Sequence, residues 1–390
     1  MVYVGIDVAK DKHDCSIMDS DGVELCSVFT ISNDRDGYDD LFKTITDYEK
    51  DTSKIKVGLE STGHYSYNIL CALSDRGYLT YVLNPLHTSF YRKAQSLRLT
   101  KTDRVDARTI AHMLMSEHTL NCYQGASLYD DLKSLTRYRY DMVQRRSKMK
   151  TSVSRLINIL FPELGKMFST IHSSTIYALL CEMPGASYIA GSDIDKIKTI
   201  LTEASKGYYG ESKAVSIHDK AVTSVGIVAQ AKSLELKHTI KQIEYISIDI
   251  NETDKAINTI MKKIDSPITT IPGIKNCLGA MIIAETGDFS RFENADKLLA
   301  YAGLSPSTYQ SGQLISSRSH MEKRGSKYLR YAIFDATRHV CAYSPRFKTY
   351  LDGKRSEGKH YNVAISHAAK KLVRTIYRME MTGEAYREDV

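Results

Sequence analysis

The sequence predicts an α/β domain on a mixed sheet, then long coiled-coil helices, then a mostly helical C-terminal part. Three observations predict it. The chain opens on a β-rich run, VYVGIDV, and its first hundred residues alternate such runs with amphipathic stretches. Two heptad stripes follow, one over 130–160 and one over 236–264. Beyond residue 270 the pattern becomes short helices and loops that end in a basic helical tail.

The first element, Val2–Val8, is an apolar run containing one carboxylate, Asp7. The segment CSIMDSDGVELCSVFTI comes next, with Asp21-Gly22 as a turn signal between two apolar runs, so three consecutive antiparallel strands are expected. A polar helix over 37–49, a strand over 54–60, a helix over 65–76 and a strand over 79–84 closed by Pro85 complete the domain. Three strands, helix, strand, helix, strand is the order of a ribonuclease-H-like sheet, although fold order alone does not give function.

With 390 residues, 42% apolar and 25% charged, the chain suits two or three ordinary domains. Boundaries are expected at 1–125, 126–268 and 269–390. No run approaches the ~18–20 apolar residues of a membrane span, and Met1 leads directly into the first strand without a secretory leader, so a cytoplasmic protein with no membrane partner is expected. Seven cysteines, an odd number with no CxxC pair, suggest neither a disulfide framework nor a thiolate zinc site. The net charge of +7 is unevenly placed: residues 318–378 hold 15 Lys or Arg against 4 Asp or Glu, so that stretch alone is +11.

Leu135, Met142, Met149 and Leu156 form the first heptad stripe; Leu236, Ile243, Ile250, Ile257 and Ile264 form the second. Each long helix needs a partner, either the other helix or a copy from a second subunit, and a contribution to oligomerisation is the expectation, with an intramolecular pair as the alternative. Between them, residues 161–232 are broken by Pro162, Pro184-Gly185 and the glycines at 207 and 210 into a helical insertion of short elements.

Asp7 inside an apolar strand would cost several kcal/mol if buried unpaired, and a divalent cation would compensate it. Glu60 ends the fourth strand, which this topology places beside the first. Asp103 and Asp106 lie three apart in KTDRVDARTIA and share a helix face. Hard oxygen ligands of this kind suit Mg²⁺ or Mn²⁺ and phosphoryl transfer. Singly, each acid also reads as a turn former, a helix-terminal charge or an intrahelical ion-pair partner. Arg98, Lys101, Arg104 and Arg108 surround the helix acids, as a frame for phosphates or as an ordinary solvated face.

Ser311, next to Gly312 in a polar loop, can approach a phosphate closely, with Arg318, Lys323, Arg324, Lys327 and Arg330 following as candidate nucleic-acid contacts. Five neighbouring serines make composition alone a weak signal. IPGIKNCLGAMIIAETGD is similar to a helix–hairpin–helix, but Lys275 stands where the second glycine is usual, so DNA contact and simple packing both stay open. No phosphate-binding glycine motif and no zinc spacing occurs.

YVGIDVAKDKHD, GLESTGHYS, LNP, KTDRVDARTIA, IPGI…AETGDFSRF…LLAYAGLSP, YQSGQ and MEKRGSKYLR, in this order over nearly the whole chain, resemble the DEDD-type transposases of the insertion sequence one-ten family, relatives of the pilin-gene invertase. The resemblance implies a RuvC-like N-terminal domain whose acidic tetrad falls on Asp7, Glu60, Asp103 and Asp106. It also implies a C-terminal transposase domain whose nucleophile falls on Ser311. It further implies a covalent phosphoserine intermediate formed with Mg²⁺, donor and target DNA as substrates, and a structured non-coding bridge RNA as guide. A homo-oligomer of dimers assembling to a tetramer is implied as well. The alternative is a purely hydrolytic RuvC-like nuclease or Holliday-junction resolvase, in which the tetrad acts alone.

Overall fold

The computed structural model describes residues 1–60, 63–95, 102–116, 122–123, 128–306, 310–311, 314–315 and 321–388. The chain forms two compact units, Met1–Ser127 and Leu128–Val390. All seven cysteines are free, and among the described residues no helix is long and apolar enough to cross a membrane.

In the first unit, β1 (Val2–Val8), β2 (Lys12–Met18) and β3 (Phe29–Ser32) form an antiparallel meander. After α1 (Arg35–Tyr48) come β4 (Ile55–Glu60), α2 (Ser66–Asp75), β5 (Leu79–Leu83), α3 (Pro85–Gln95), α4 (Asp103–Ser116) and β6 (Cys122–Tyr123). The sheet order is β3-β2-β1-β4-β5-β6; β4 runs parallel to β1 and β5 parallel to β4. This is the mixed α/β sheet the sequence predicts.

The strands expose alternate side chains to opposite faces. Val4, Ile6, Cys15, Ile17, Val57 and Leu59 are fully buried in one core with Leu41 and Ile45 of α1 and Ile69 and Leu73 of α2. The opposite face receives α4. The third strand starts later than Asp21-Gly22 suggests, because a local turn held by the Asp19 carboxylate and an isolated bridge from Met18 to Glu24 take up the intervening residues.

The second unit is helical. Its two long helices, α5 (Leu128–Leu160) and α10 (Gln230–Ile264), pack on each other antiparallel along the heptad stripes. Arg139 of α5 pairs with Asp254 and Arg155 with Glu235. So α5 finds its partner in α10 of the same chain. The insertion between them is α6 (Ser174–Glu182), α7 (Ala186–Ala190), α8 (Ile194–Ala204) and α9 (Glu211–Val222), closed around a separate core containing Leu156, Phe161, Leu180, Ile189 and Leu236.

The remainder is α11 (Asn276–Thr286), α12 (Ala295–Tyr301), the small hairpin β7 (Gln310–Ser311) and β8 (Leu314–Ile315), α13 (Lys327–Tyr343), α14 (Pro345–Ser356) and α15 (Tyr361–Thr382). The turn at Gly273 lies against the backbone of His339 and Val340 in α13, so this loop packs inward. Glu285 of α11 has a fully buried side chain. It is held by the Arg137 guanidinium through two hydrogen bonds, at 2.5 and 2.9 Å, and by the Ser326 hydroxyl at 2.6 Å. Ser326 in turn caps α13 by accepting from the Leu329 amide.

Candidate active site

Backbone contact builds the acidic centre. A Cβ placed on Gly5 would lie 2.1 Å from the Ala107 carbonyl oxygen and 2.5 Å from the Ala111 nitrogen, so only a glycine lets α4 rest directly on β1. The face of β1 that carries Gly5 also carries Asp7, two residues on. The β1–β2 register sets Asp14 directly opposite Asp7, and Glu60 lies one step beyond the Ile6–Leu59 pair. α4 contributes Asp103 and Asp106 from its first turn.

The clearest sign of convergence is Asp7 itself. Burial first, and then the charges of Asp106, Asp103, Glu60 and Asp14, push its carboxyl from the ordinary 3.8 up to about 7. The four sequence-selected acids therefore share one electrostatic neighbourhood, and Asp14 is a fifth member that sequence reasoning missed. Asp14 is buried and accepts a hydrogen bond from the Thr30 hydroxyl. The opposite-strand position across from Asp7 is the signal that could have found it.

A second missed residue is Arg92 on α3. Its guanidinium lies 2.5 Å from the Asp106 carboxylate, with the two side chains 27% and 14% exposed. Among the described residues, no group of three His, Cys, Asp or Glu side chains stands ready around a single ion position; the Arg92 pair engages one of the acids. By donor chemistry the acids nevertheless suit a hard divalent ion, being all carboxylate oxygens with an excess of negative charge that a cation would relieve.

Replacing Gly5 with Ala is expected to force α4 off the strand. Overpacking of this sort costs about 1–3 kcal/mol, which should appear in denaturant unfolding. Restoration of the wild-type midpoint by any side-chain substitution in α4 alone would argue against backbone contact as the cause.

The basic residues divide. Arg98, Lys101 and Arg318 lie outside the described residues. Arg104, Lys323, Arg324 and Lys327 are exposed. Arg108 is paired with Glu24. Arg330 turns its guanidinium onto the carbonyls of Ala302 and Lys323, at 3.4 and 3.2 Å.

Ser311 ends strand β7, paired with Leu314; its side chain and Gly312 lie outside the described residues. On either side of the hairpin the described residues form two paired stems. Pro306 bridges Met321, and the Glu322 amide donates to the Ser305 carbonyl. Just below, a Cβ on Gly325 would meet the Tyr301 carbonyl at 2.0 Å and one on Gly303 the Arg324 carbonyl at 2.2 Å. The stems are thus locked backbone to backbone, with Arg330 bridging them.

Comparison with known proteins agrees with this arrangement. Residues 4–162 match the profile of the DEDD transposases of IS110 type, and residues 265–352 match that of the transposase IS116/IS110/IS902 family, together more than half of the chain. The chain is 24% identical to the insertion element IS900 uncharacterized 42 kDa protein of Mycobacterium paratuberculosis, over 97% of this chain and 95% of the relative. It is 22% identical to the insertion element IS116 uncharacterized 44.8 kDa protein of Streptomyces clavuligerus, over 97% and 94%. To the pilin gene-inverting protein of Moraxella bovis it is 24% identical, over 96% and 94%. A carboxylate-bearing mixed sheet at one end, a helical transposase part at the other and these full-length relatives converge on one conclusion: the chain belongs to the IS110 family of transposases and is a DNA transposase/recombinase.

Proposed function

We propose that this transposase is a site-specific recombinase of its insertion sequence that cuts and rejoins DNA through a covalent phosphoserine on Ser311. Asp7, Glu60, Asp103 and Asp106 would hold Mg²⁺, or Mn²⁺ in its place. The observation that carries the reading is a half-buried carboxylate with four others around it on β2, β4 and α4, so that burial first and their charges second raise Asp7 to about 7. A fold tolerates that repulsion where a cation is meant to relieve it.

In the first step the Ser311 Oγ forms a bond to the phosphorus of a DNA phosphodiester while the bond from phosphorus to a deoxyribose oxygen breaks. The serine proton passes, directly or through water, to the departing oxygen. A hydroxyl on the partner strand then attacks the phosphoserine, restores a phosphodiester and returns a proton to Oγ. Each step exchanges one phosphate ester for another, so no nucleotide hydrolysis and no redox partner is needed. The bound ion would polarise the phosphate oxygens and stabilise charge developing on them. The exposed Lys323, Arg324 and Lys327 would neutralise neighbouring phosphates.

The functional division is 1–125 as RuvC-like domain, 126–268 as coiled-coil part with its insertion, and 269–390 as transposase domain. Guidance by a structured bridge RNA that pairs with donor and target DNA, and assembly of dimers into a tetramer in the cytoplasm, belong to the same proposal. They rest on the resemblance of the motifs.

The test is covalent trapping. Incubated with end-labelled DNA and Mg²⁺, the wild-type protein should carry label through a denaturing gel, and the Ser311→Ala protein should carry none. A Ser311→Ala protein that still nicks DNA at the wild-type rate would instead establish the hydrolytic nuclease.

A further inference from the structure

We infer that one face of α15 is the track on which the DNA strand to be cut lies, leading to the hairpin that carries Ser311. The inference rests on the reading of Ser311 as nucleophile and adds the path of the substrate. Lys370, Arg374 and Arg378 recur every four residues along α15. They therefore stand roughly 6 Å apart on one face, close to the separation of successive phosphates in a single strand.

A cleft of about 430 Å³ runs beside them, walled also by Arg346, His367 and Lys371, and among the described residues its lining contains no carboxylate. One cation of the groove wall is fixed by packing: the Lys371 amine lies over the Phe347 and Tyr350 rings, 5.3 and 4.7 Å from their centres. Burial first and the charge of Arg346 second pull the Lys371 amine below its ordinary value, and burial with Lys359, Lys370 and Lys354 does the same to His367. Positive groups crowded together in a groove are stabilised by an anion laid between them.

Arg374 and Arg378 do have acidic neighbours, Asp296 at 2.9 Å and Glu384 at 4.0 Å. Both pairs are exposed, of the kind worth about 0–1 kcal/mol, and give way to phosphate.

What selects DNA over a guide RNA is where the groove goes. Its N-terminal end on α15 shares His367 and Lys370 with a further cleft of about 220 Å³, whose floor is Leu304, Pro306 and Met321. Those residues belong to the two stems of the Ser311 hairpin. From Arg378 to Val363 the helix runs about 22 Å, enough for roughly four phosphates on the approach to the serine.

The experiment uses full-length protein carrying Ser311→Ala, so that binding is read apart from cleavage and survives a failure of the phosphoserine reading. Lys370, Arg374 and Arg378 are replaced together by Gln. The affinity for a single-stranded DNA oligonucleotide is followed through a salt series. Three lost phosphate contacts should lower the log–log slope by about 2, at roughly 0.7 each. A control with three exposed lysines of α10, Lys241, Lys255 and Lys262, changed to Gln removes the same charge and should leave the slope unmoved.

An unchanged slope in the α15 variant overturns the inference, as does an equal fall in the α10 control. So does a fall seen only with structured RNA, which would assign the groove to a guide. A protein that loses the slope on DNA while the wild-type Ser311 protein forms no covalent adduct would keep the track and discard the nucleophile.

Discussion

Asp7→Asn should reduce strand transfer by a thousandfold or more and, in the absence of divalent ions, make the protein harder to melt at pH 8. On the proposed function the loss would follow from removing a ligand whose ion would supply several kcal/mol of transition-state stabilisation. The gain follows from the proton balance. Asp7 titrates near 7 in the folded chain, against about 3.8 when unfolded. The folded state thus binds the proton more tightly, and stability is lost as pH rises between those values. Asn never ionises, so the variant escapes that loss: the two proteins should melt together near pH 3.5 and diverge toward pH 8. Part of Asp7 reaches solvent, which screens the repulsion and reduces the gain. Adding Mg²⁺ or Mn²⁺ should raise the melting temperature of wild type and leave Asp7→Asn nearly unmoved. A variant that melts lower than wild type at pH 8 without metal would contradict the crowding of charge around this strand.

The second large effect is expected far from the acids, at Glu285. Replacing it with Ala leaves the Arg137 guanidinium and the Ser326 hydroxyl without the carboxylate that holds both. Breaking a buried pair from one side costs about 3–5 kcal/mol, and because Arg137 is 40% exposed the lower end applies. Glu285→Gln, which keeps the shape and one acceptor, should cost less. Burial alone would raise the Glu285 carboxyl, but the hydrogen bonds from Arg137 and Ser326 outweigh it and hold it below its ordinary 4.5. Its contribution is therefore present above about 4.5 and fades as pH falls through the lower folded value. The stability gap between wild type and Glu285→Gln should accordingly narrow in acid. A gap independent of pH would mean that packing, not charge, makes the difference.

Much of this was legible in the sequence because burying a carboxylate is costly enough to leave a mark. Asp7 stands out inside VYVGIDV, and Asp103 and Asp106 stand out by helical spacing. Asp14 does not: it precedes the apolar segment that starts at Cys15, yet pairing with β1 extends the second strand back to Lys12 and sets Asp14 opposite Asp7. Arg92 and Asp106 are fourteen residues apart on different helices, a separation no periodicity announces. The heptads disclosed two long helices but not their pairing, since an apolar seam fits a neighbour in the same chain as well as one in another. Arg330 reads as a phosphate contact by composition, and only the fold reveals the two carbonyls it bridges.

The contact between β1 and α4 at Gly5 has a consequence for how this acidic cluster can vary. Where two main chains touch directly, the gap between the carboxylates they carry has no adjustable lining, and trimming or enlarging a neighbouring side chain will not tune it. The helix can only slip by whole residues, and each slip turns it by about 100°, which swings its acids away from the strand. Descendants of this protein can thus exchange surfaces and loops with little penalty, while the spacing between the strand acids and the helix acids is inherited as a fixed dimension.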